Sequence, residues 1–283
     1  MTLSLFFSRT WWKTTLLVIA AVAVMIRLGI WQLDRLEQRQ AFNARVRAQM
    51  EQPVLDLNLA SQSVATTQNL SGMEFRDVEV TGEYDQSGEV VLRNQVWENE
   101  SGVNLLTPLK IEGSDQTVLV NRGWVPFEEY SAGRLGQYNE PGIVKIKGVI
   151  RASQSKPEIG GHLDQVPAPG EPKLLAWNMV NVQGIESQLP YQLLPVYVQA
   201  YPDPSWITLP YRSQVDLELT DGPHKGYAIQ WFIFATILGV GYPIYVRKES
   251  SISKAGKHNS SPYIQNEKIE ANPIDNNKSK GHV

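Results

Sequence analysis

The chain has 283 residues, a formal net charge of −3 and no cysteine. A nucleic-acid-binding protein usually has an excess of basic residues, and this chain is slightly acidic, so nucleic acid is not expected as a partner. Without thiols there can be no disulfide framework, thiolate metal site or cysteine nucleophile. Apolar residues are concentrated near the two ends of the chain, and this distribution indicates membrane segments on either side of a more polar middle.

The first apolar segment predicts a transmembrane helix over residues 14–33, preceded by a short tail of residues 1–13. Thr14–Ile26 carries no charge, and about 20 residues are enough to span a bilayer core. Arg27 can snorkel toward the headgroups beyond it. The alternative is a cleaved signal peptide with Ala21-Val22-Ala23 as its cleavage box. Cleavage there would leave a short apolar core and an apolar stub, so the uncleaved anchor is favoured.

The second apolar segment predicts a transmembrane helix over residues 226–246. It contains no formal charge, and Arg247 and Lys248 follow it directly. Because basic residues flank both segments on their outer sides, both termini are expected to be cytoplasmic and the connecting domain to lie across the membrane. Residues 247–283 are polar and without periodicity, which predicts a disordered tail.

Four arginines after the first segment oppose this orientation. They are Arg35, Arg39, Arg45 and Arg47. They open a connecting segment far longer than the roughly 60 residues within which loop charges decide orientation. The basic residues in the two tails therefore decide the predicted orientation.

The connecting segment, residues 34–225, predicts an α+β domain with strands in the majority. A helix is expected from Asp34 toward Pro53, because apolar residues recur among charges there. Beyond it, short runs rich in valine and leucine alternate with glycine and proline. They predict strands at Asp77–Tyr84, Glu89–Gln95, Val103–Ile111, Thr117–Val125, Val144–Ile150 and Leu193–Gln199.

Turn residues between these runs predict two antiparallel hairpins. Asp85-Gln86-Ser87-Gly88 would join the first two strands, and Glu112-Gly113-Ser114-Asp115 the next two. A helix within Val180–Gln188 is expected to cover the sheet, and Gly160–Pro172 reads as a surface loop.

The sequence contains none of the nucleotide-binding or catalytic signatures GxxxxGK[ST], GxGxxG, HExxH and GxSxG. Acidic residues and a serine can be collected from any chain of this length, but without a spacing constraint they indicate no site. The protein is therefore expected not to be an enzyme.

His224 is the candidate metal ligand. It ends the sequence Asp221-Gly222-Pro223-His224, in which the aspartate can cap the second helix and the proline can occupy its first turn. A helix N-terminus disfavours imidazolium and leaves neutral imidazole as a ligand. Tyr227 and Trp231 share the face of His224 and offer an apolar wall for a porphyrin. The alternative is an interfacial histidine beside aromatic anchors, which spacing alone favours.

The remaining candidates have simpler interpretations. His162 lies in a glycine-rich loop, and His258 and His282 lie in the polar tail. Arg27 is either a snorkelling charge or a partner for a buried propionate, and snorkelling is the default. Asn121-Arg122-Gly123-Trp124 reads as a strand-end turn.

Several motifs resemble those of the Surfeit-locus cytochrome oxidase assembly proteins, called Shy in yeast. Each is weak alone, but they occur in order from one membrane segment to the other. The match is poor over residues 48–72 and 153–173 and after residue 246. The matching motifs are Gly29-Ile30-Trp31-Gln32-Leu33-Asp34-Arg35-Leu36, Arg76-Asp77-Val78-Glu79-Val80-Thr81-Gly82-Glu83-Tyr84, Leu92-Arg93-Asn94, Thr107-Pro108, Val120-Asn121-Arg122-Gly123-Trp124-Val125-Pro126 and His224-Lys225-Gly226-Tyr227-Ala228-Ile229-Gln230-Trp231-Phe232.

The resemblance implies an assembly factor for a haem-copper terminal oxidase, which assists haem a insertion into the catalytic subunit or stabilises it. Bacterial members look like haem a binders that use the histidine at the position of His224. We hypothesise that Tyr227 and Trp231 line this pocket and that Arg27 or Arg35 pairs with a propionate.

The resemblance also implies a setting. The expected partners are oxidase subunits, chiefly the catalytic one, haem a synthase and membrane lipid. The expected location is a bacterial inner membrane, with the main domain periplasmic and both termini cytoplasmic. A membrane-tethered sensor and a structural envelope protein without haem are the alternatives of other classes.

Overall fold

A computed structural model describes residues 6–157, 161–168, 170–215 and 217–258. The chain divides into two compact units, one formed by Met1–Glu37 with Gly222–Val283 and the other by Gln38–Asp221. The helices are α1 (Trp12–Met50), α2 (Leu57–Ala60), α3 (Val64–Asn69), α4 (Phe127–Ser131), α5 (Val182–Glu186) and α6 (His224–His258). The strands are β1 (Leu55–Asp56), β2 (Asp77–Tyr84), β3 (Val90–Trp97), β4 (Glu100–Ile111), β5 (Thr117–Pro126), β6 (Ile143–Ala152), β7 (Ala176–Trp177) and β8 (Leu193–Ala200).

The unit formed by the chain ends contains two helices long and apolar enough to cross a membrane, α1 and α6. Most of their apolar surface is exposed; Leu17 is 69% exposed and Ile237 is 64% exposed. The helices contact each other through Thr15, whose hydroxyl lies 2.6 Å from that of Tyr242. Exposed apolar surface of this extent marks a region that another apolar phase or protein covers.

Small residues allow the close approach of α1 and α6. A Cβ added at Gly29 would lie 2.8 Å from the ring of Phe232, nearer than side-chain atoms normally come. Ala228 and Ala235, two turns apart on α6, are 1% and 6% exposed. Glycine and alanine at such positions are typical of packed helices in membranes.

The helix α6 extends beyond the predicted membrane segment. It continues past Val246 to His258, so the prediction of disorder is wrong for residues 247–258. Within this stretch the Ser251 hydroxyl donates to the carbonyls of Arg247 and Lys248, one turn earlier in the helix, at 2.8 Å each. The predicted tail from residue 259 lies outside the described residues.

Five strands of the other unit close a barrel. Antiparallel pairs join β2 to β6, β6 to β8, β4 to β5 and β2 to β4, and a parallel pair joins β5 to β8. The order β6, β2, β4, β5 is that of a Greek key. Gly82 permits the closure at β2 and β4, because a Cβ there would lie 2.1 Å from the carbonyl oxygen of Lys110.

The six strands predicted from the sequence are all present, but one of the two predicted hairpins is wrong. β4 and β5 pair antiparallel as expected. β2 and β3 do not pair, although Asp85-Gln86-Ser87-Gly88 forms a turn between them. Instead β3 pairs with β4 through a tight turn in which Glu98 and Asn99 both have positive φ, and the far end of β4 takes the place beside β2.

The barrel interior is apolar, and short helices cover its outside. Alternate residues of β2, including Val78 and Val80, meet Val118, Val120 and Ile150 in one core cluster. A second cluster packs α5 and Trp177 against the other face of the sheet. The covering helix predicted within Val180–Gln188 is therefore present as α5. Its N-cap is Asn181, whose side chain accepts from the amide of Gly184 at 3.0 Å.

The part of α1 that belongs to the barrel unit is held by the segment before residue 222. Asn43 and Arg47 donate to the carbonyls of Thr220 and Leu219 at 3.0 and 2.9 Å, and Arg39 donates to the carbonyl of Thr220 at 3.1 Å. Two of the arginines that opposed the predicted orientation thus satisfy backbone carbonyls of the chain itself.

Candidate functional site

His224 is the first residue of α6. The carbonyl of Pro223 accepts the first helical hydrogen bond, from the amide of Tyr227 at 3.1 Å. Pro223 therefore holds the N-cap position and not the predicted first turn. No hydrogen bond among the described residues joins the Asp221 carboxylate to an amide of α6; the carboxylate instead accepts from the side-chain amide of Gln40 at 2.8 Å. Gly222 has a φ of +67° and turns the chain just before the helix begins.

A hydrogen bond fixes the imidazole of His224. Its Nδ1 lies 2.9 Å from Oε1 of Gln32 on α1. An amide oxygen only accepts, so Nδ1 carries the proton in this contact and the neutral ring has its lone pair on Nε2. None of the hydrogen bonds among the described residues uses Nε2. Metal-binding histidines characteristically donate their other ring N–H in this way, which fixes both tautomer and ring orientation.

The two predicted aromatic partners lie on the flank of α6 beside its contact with α1. Trp231 is half-buried and makes an edge-to-face contact with Phe234, with ring centroids 6.2 Å apart. Tyr227 is 50% exposed. Helical spacing keeps Tyr227 and Trp231 on the side of α6 that carries His224, and that this face lines a haem site stays a prediction.

The structure separates the two candidate arginines. At roughly 100° per residue, Arg27 is turned about 140° around α1 from Gln32, whereas Arg35 is turned about 60° and lies one turn further along. Arg35 also lies over the ring of Trp31, 5.7 Å from its centroid. Arg35 is therefore better placed than Arg27 to act beside His224.

The barrel unit contains a cluster of charged side chains around Arg122, and this cluster has a structural role. Arg122 is fully buried and pairs with Glu89 and Glu140 at 2.9 Å each. Its guanidinium also lies over the ring of Tyr84, 4.8 Å from the centroid. Burial, reinforced by the negative charge of Glu140, raises the pKa of the Tyr84 hydroxyl far above its ordinary value. A phenol held protonated in this way is not a general base.

The motif that contains Arg122 is not the predicted strand-end turn. It lies inside β5, where Leu105 and Leu106 oppose Gly123 and Asn121, so that Arg122 has no partner and forms a bulge. Gly123 has a φ of +127°, and a Cβ there would lie 2.6 Å from the carbonyl oxygen of Tyr211. Arg122 is fully buried at this bulge, and the glycine beside it admits the neighbouring backbone.

Clusters of three or more histidine, cysteine or acidic side chains that could hold a metal ion do not occur among the described residues. His224 would therefore act as a single protein ligand, as a proximal histidine does for haem iron. His162 belongs to the barrel unit, and the side chain of His258 and all of His282 lie outside the described residues.

Together these features define a strand-rich barrel domain carried between two helices of membrane-spanning length, with an oriented histidine where the second helix begins. The model of the SURF1 family matches residues 19–236. The chain belongs to the SURF1 family, which is known generally as a family of cytochrome oxidase assembly factors and not as one of classical enzymes.

Relatives from distant organisms support this membership. A SURF1-like protein of Rickettsia conorii is 29% identical, and the match covers 85% of this chain and 94% of the relative. A SURF1-like protein of Caenorhabditis elegans is 22% identical over 80% of this chain and 72% of the relative. An uncharacterised SURF1-like protein of Mycobacterium bovis is 24% identical, with 91% of each chain covered. The expectation of a family resemblance is thus confirmed.

Gln32 is the site residue that the sequence analysis missed. It lies 192 residues away from His224 along the chain. The one available signal was its place beside Trp31 in a matching motif at the exit of the first apolar segment.

Proposed function

We propose that this protein binds haem a through His224 at the membrane surface and assists its insertion into the catalytic subunit of a haem-copper terminal oxidase. Stabilisation of that subunit during assembly is part of the same role. Family membership supports the assembly role in general. The observation that carries the haem-specific proposal is the hydrogen bond between His224 and Gln32.

The described residues fit a haem held through one histidine. In the neutral ring of His224 the lone pair is on Nε2, which none of the hydrogen bonds among the described residues uses, and Gln32 holds the ring in one orientation. Trp231 and Tyr227 offer aromatic surface next to it, and Arg35 offers a cation for a propionate. Bound haem would supply an iron centre, and the protein's residues would supply one ligand, an aromatic wall and charge compensation.

A solvent-accessible site with one protein ligand suits a protein that binds haem only transiently and passes it on. Tyr227 is half exposed, so the face of His224 is accessible to a partner. A cofactor held by one histidine and one flank of a helix can be released when another protein offers more ligands. This argument favours transient binding with transfer to the oxidase over permanent use of haem. Haem a synthase is the corresponding donor in the proposal.

The membrane setting follows from the two exposed apolar helices. Leu17, Ile237 and their neighbours would be covered by lipid. We place the protein in a bacterial inner membrane with both termini cytoplasmic and the barrel periplasmic, because Arg247 and Lys248 follow α6 directly. Arg39 and Arg47 weigh less against this orientation, since both donate to backbone carbonyls. An enzyme reporter that is active only in the periplasm should work when fused after Asn121 and fail when fused after Lys257.

The haem proposal is tested by His224→Ala. The variant, purified from cells that make haem a, is expected to lose the co-purified haem absorbance while its membrane insertion stays unchanged. His162→Ala is the matched control, because it removes a histidine from the other unit, and it should leave the haem content unchanged. A His224→Ala protein that keeps the full haem spectrum would leave only the general assembly role.

The assembly role is tested separately, in cells that lack the protein. The oxidase polypeptides should still be synthesised, but much of the assembled, haem-containing enzyme should be lost. If haem a itself were no longer made in these cells, the protein would belong to the biosynthetic step instead.

A further inference from the structure

Arg27 is the single charged residue within the apolar part of α1. Residues 14–33 contain no other lysine or arginine and no aspartate or glutamate. At about 1.5 Å per residue, Arg27 lies about 21 Å along the helix from Lys13 and about 10 Å from Asp34. In a bilayer with an apolar core about 30 Å thick, its Cα therefore lies inside the core, nearer the Asp34 end.

Arg27 lies on the side of α1 that is turned away from α6. Gln32 and Gly29, which contact His224 and Phe232 of α6, are turned about 140° and 160° around α1 from Arg27. Arg27 is exposed, and so are three residues beside it on the same side of the helix. This side is therefore open to a neighbour other than α6. We call it the Arg27 face, formed by Ala20, Val24, Arg27 and Ile30.

The chain offers Arg27 no carboxylate at its own depth. Among the described residues, the Arg27 side chain takes part in no ion pair. Neither apolar segment, residues 14–33 or 226–246, contains an aspartate or glutamate, and residues 1–5 contain none. All acidic residues belong to the polar parts of the chain, which lie outside the bilayer core in the proposed setting. A second copy of the chain would place the same residues at the same depth, so it would not supply a carboxylate either.

Snorkelling to the headgroups is a poor solution for this arginine. The nearer headgroups lie toward the C-terminal end of α1, whereas Cα–Cβ bonds in a helix tilt toward its N-terminus, here toward the middle of the bilayer. Trp31 lies one turn on in the direction of the headgroups, with the guanidinium of Arg35 over its ring, 5.7 Å from the centroid. An extended Arg27 would therefore approach a like charge. Charged residues within a membrane usually pair with another protein group instead.

We propose that the Arg27 face docks on a transmembrane helix of another protein, and that a carboxylate of this helix pairs with Arg27. A guanidinium binds a carboxylate through two parallel hydrogen bonds, and the attraction between the two charges is stronger in an apolar core than in water. Ala20, two turns before Arg27, permits the close backbone approach typical of packed membrane helices. The inference rests on the membrane setting of the proposed function and not on haem binding.

The test uses the full chain, labelled with a fluorescent donor at Lys248→Cys and reconstituted in phosphatidylcholine vesicles at mildly alkaline pH. Because the native chain has no cysteine, the label has one site. The probes are acceptor-labelled, leucine-rich peptides of membrane-spanning length with a single glutamate about seven residues from one end, or with leucine in its place. The glutamate peptide should give saturable energy transfer, and the leucine peptide only the transfer expected from random proximity.

Arg27→Leu should weaken the apparent affinity for the glutamate peptide about tenfold or more, as expected for loss of charge-assisted hydrogen bonds. Arg27→Lys keeps the charge and should keep most of the affinity. Arg45→Leu is the matched control, because it removes an exposed arginine of α1 beyond the apolar part, and its affinity should be unchanged.

Two outcomes would overturn the inference alone. One is equal energy transfer to the glutamate and leucine peptides, and the other is an Arg27→Leu protein that binds the glutamate peptide as the wild type does, which would leave snorkelling as the role of Arg27. Flotation with the vesicles checks insertion in the same samples. A chain that did not float with them would contradict the membrane setting and the inference together. The assay contains no haem, so its result is independent of the haem proposal.

Discussion

Nδ1 of His224 and Oε1 of Gln32 lie 2.9 Å apart, and this bond joins the first residue of α6 to α1. The amide thereby selects the tautomer whose Nε2 is free. An apolar side chain of similar size at position 32 would leave the ring free to rotate and to change tautomer.

Gln32→Leu should therefore lower haem affinity about 10- to 100-fold, the usual cost of losing the partner that orients a metal-binding histidine. Titration of haem into the purified apoprotein, followed by absorbance, measures this. Gln230→Leu removes a glutamine from an exposed position of α6 and should have no effect. Equal haem affinities of the Gln32→Leu variant and the wild type would show that Gln32 has no role in haem binding.

Gly29→Val should separate α1 from α6, because even a Cβ at this position would lie 2.8 Å from the ring of Phe232. Gly239→Val is the matched control, since a Cβ there meets nothing within 4 Å. The native chain has no cysteine, so the pair Thr15→Cys and Tyr242→Cys, bridged by a short thiol-reactive crosslinker that replaces the reach of the tyrosine ring, reports helix pairing without background. Crosslinking should fall in the Gly29→Val background and persist with Gly239→Val.

Arg122→Met should destabilise the barrel unit by about 3–5 kcal/mol, because it removes the cation that pairs at 2.9 Å with two largely buried carboxylates and leaves Glu140 only the longer contact with Arg212 at 3.7 Å. The fall would appear as a lower midpoint of denaturant unfolding. Arg134→Met removes an exposed arginine that pairs with Glu129, and a surface pair of this kind contributes little. Similar midpoints for the two variants would show that the buried pairing of Arg122 adds nothing beyond an exposed one.

Tyr191→Phe should reduce the acid sensitivity of the fold. Burial alone would raise the pKa of Asp85, but hydrogen bonds from Ser87 and the Tyr191 hydroxyl bring it below its ordinary value of 3.8. A lowered pKa means that the folded state binds fewer protons than the unfolded chain. The resulting stability is present above pH 3.8 and is lost as the pH falls through the lowered pKa.

With fewer donors to Asp85, the Tyr191→Phe protein should start less stable at neutral pH and lose less stability on acidification. Unfolding midpoints measured from neutral pH to below pH 3 test this. Tyr130→Phe removes a hydroxyl that makes no contact with Asp85 and should show the pH dependence of the wild type. A Tyr191→Phe profile parallel to that of the wild type would contradict the assignment.

Local patterns predicted the strands and both long helices, because alternation, turn residues and apolar length are properties of contiguous sequence. Pairing was predictable only where adjacent strands meet through a short turn, as in β4 and β5. The barrel closure, where Tyr84 pairs with Leu109, depends on Gly82 admitting a distant strand, which no local signal reveals. The strands β1 and β7 have two residues each, too few to show any period.

The candidate ligand was predictable from sequence, but its surroundings were only partly so. His224 stood out because it opens an apolar segment, and Tyr227 and Trp231 follow from helical spacing. Gln32 could not be predicted as its partner, since antiparallel contact between α1 and α6 is a tertiary feature. The preference for Arg35 over Arg27 likewise required knowing which face of α1 meets α6.

On β3, Arg93 and Asn94 together oppose one residue of β4, and this bulge has a consequence for self-association. β3 is covered on its outer side only at Val91 and Leu92, where β7 pairs with it. The rest of this edge carries Val96, which is 68% exposed, and a regular strand here would be a template for pairing with another copy of the chain. The bulge interrupts the ladder just where β7 ends, and an irregularity of this kind at an edge opposes edge-to-edge aggregation of the folded barrel.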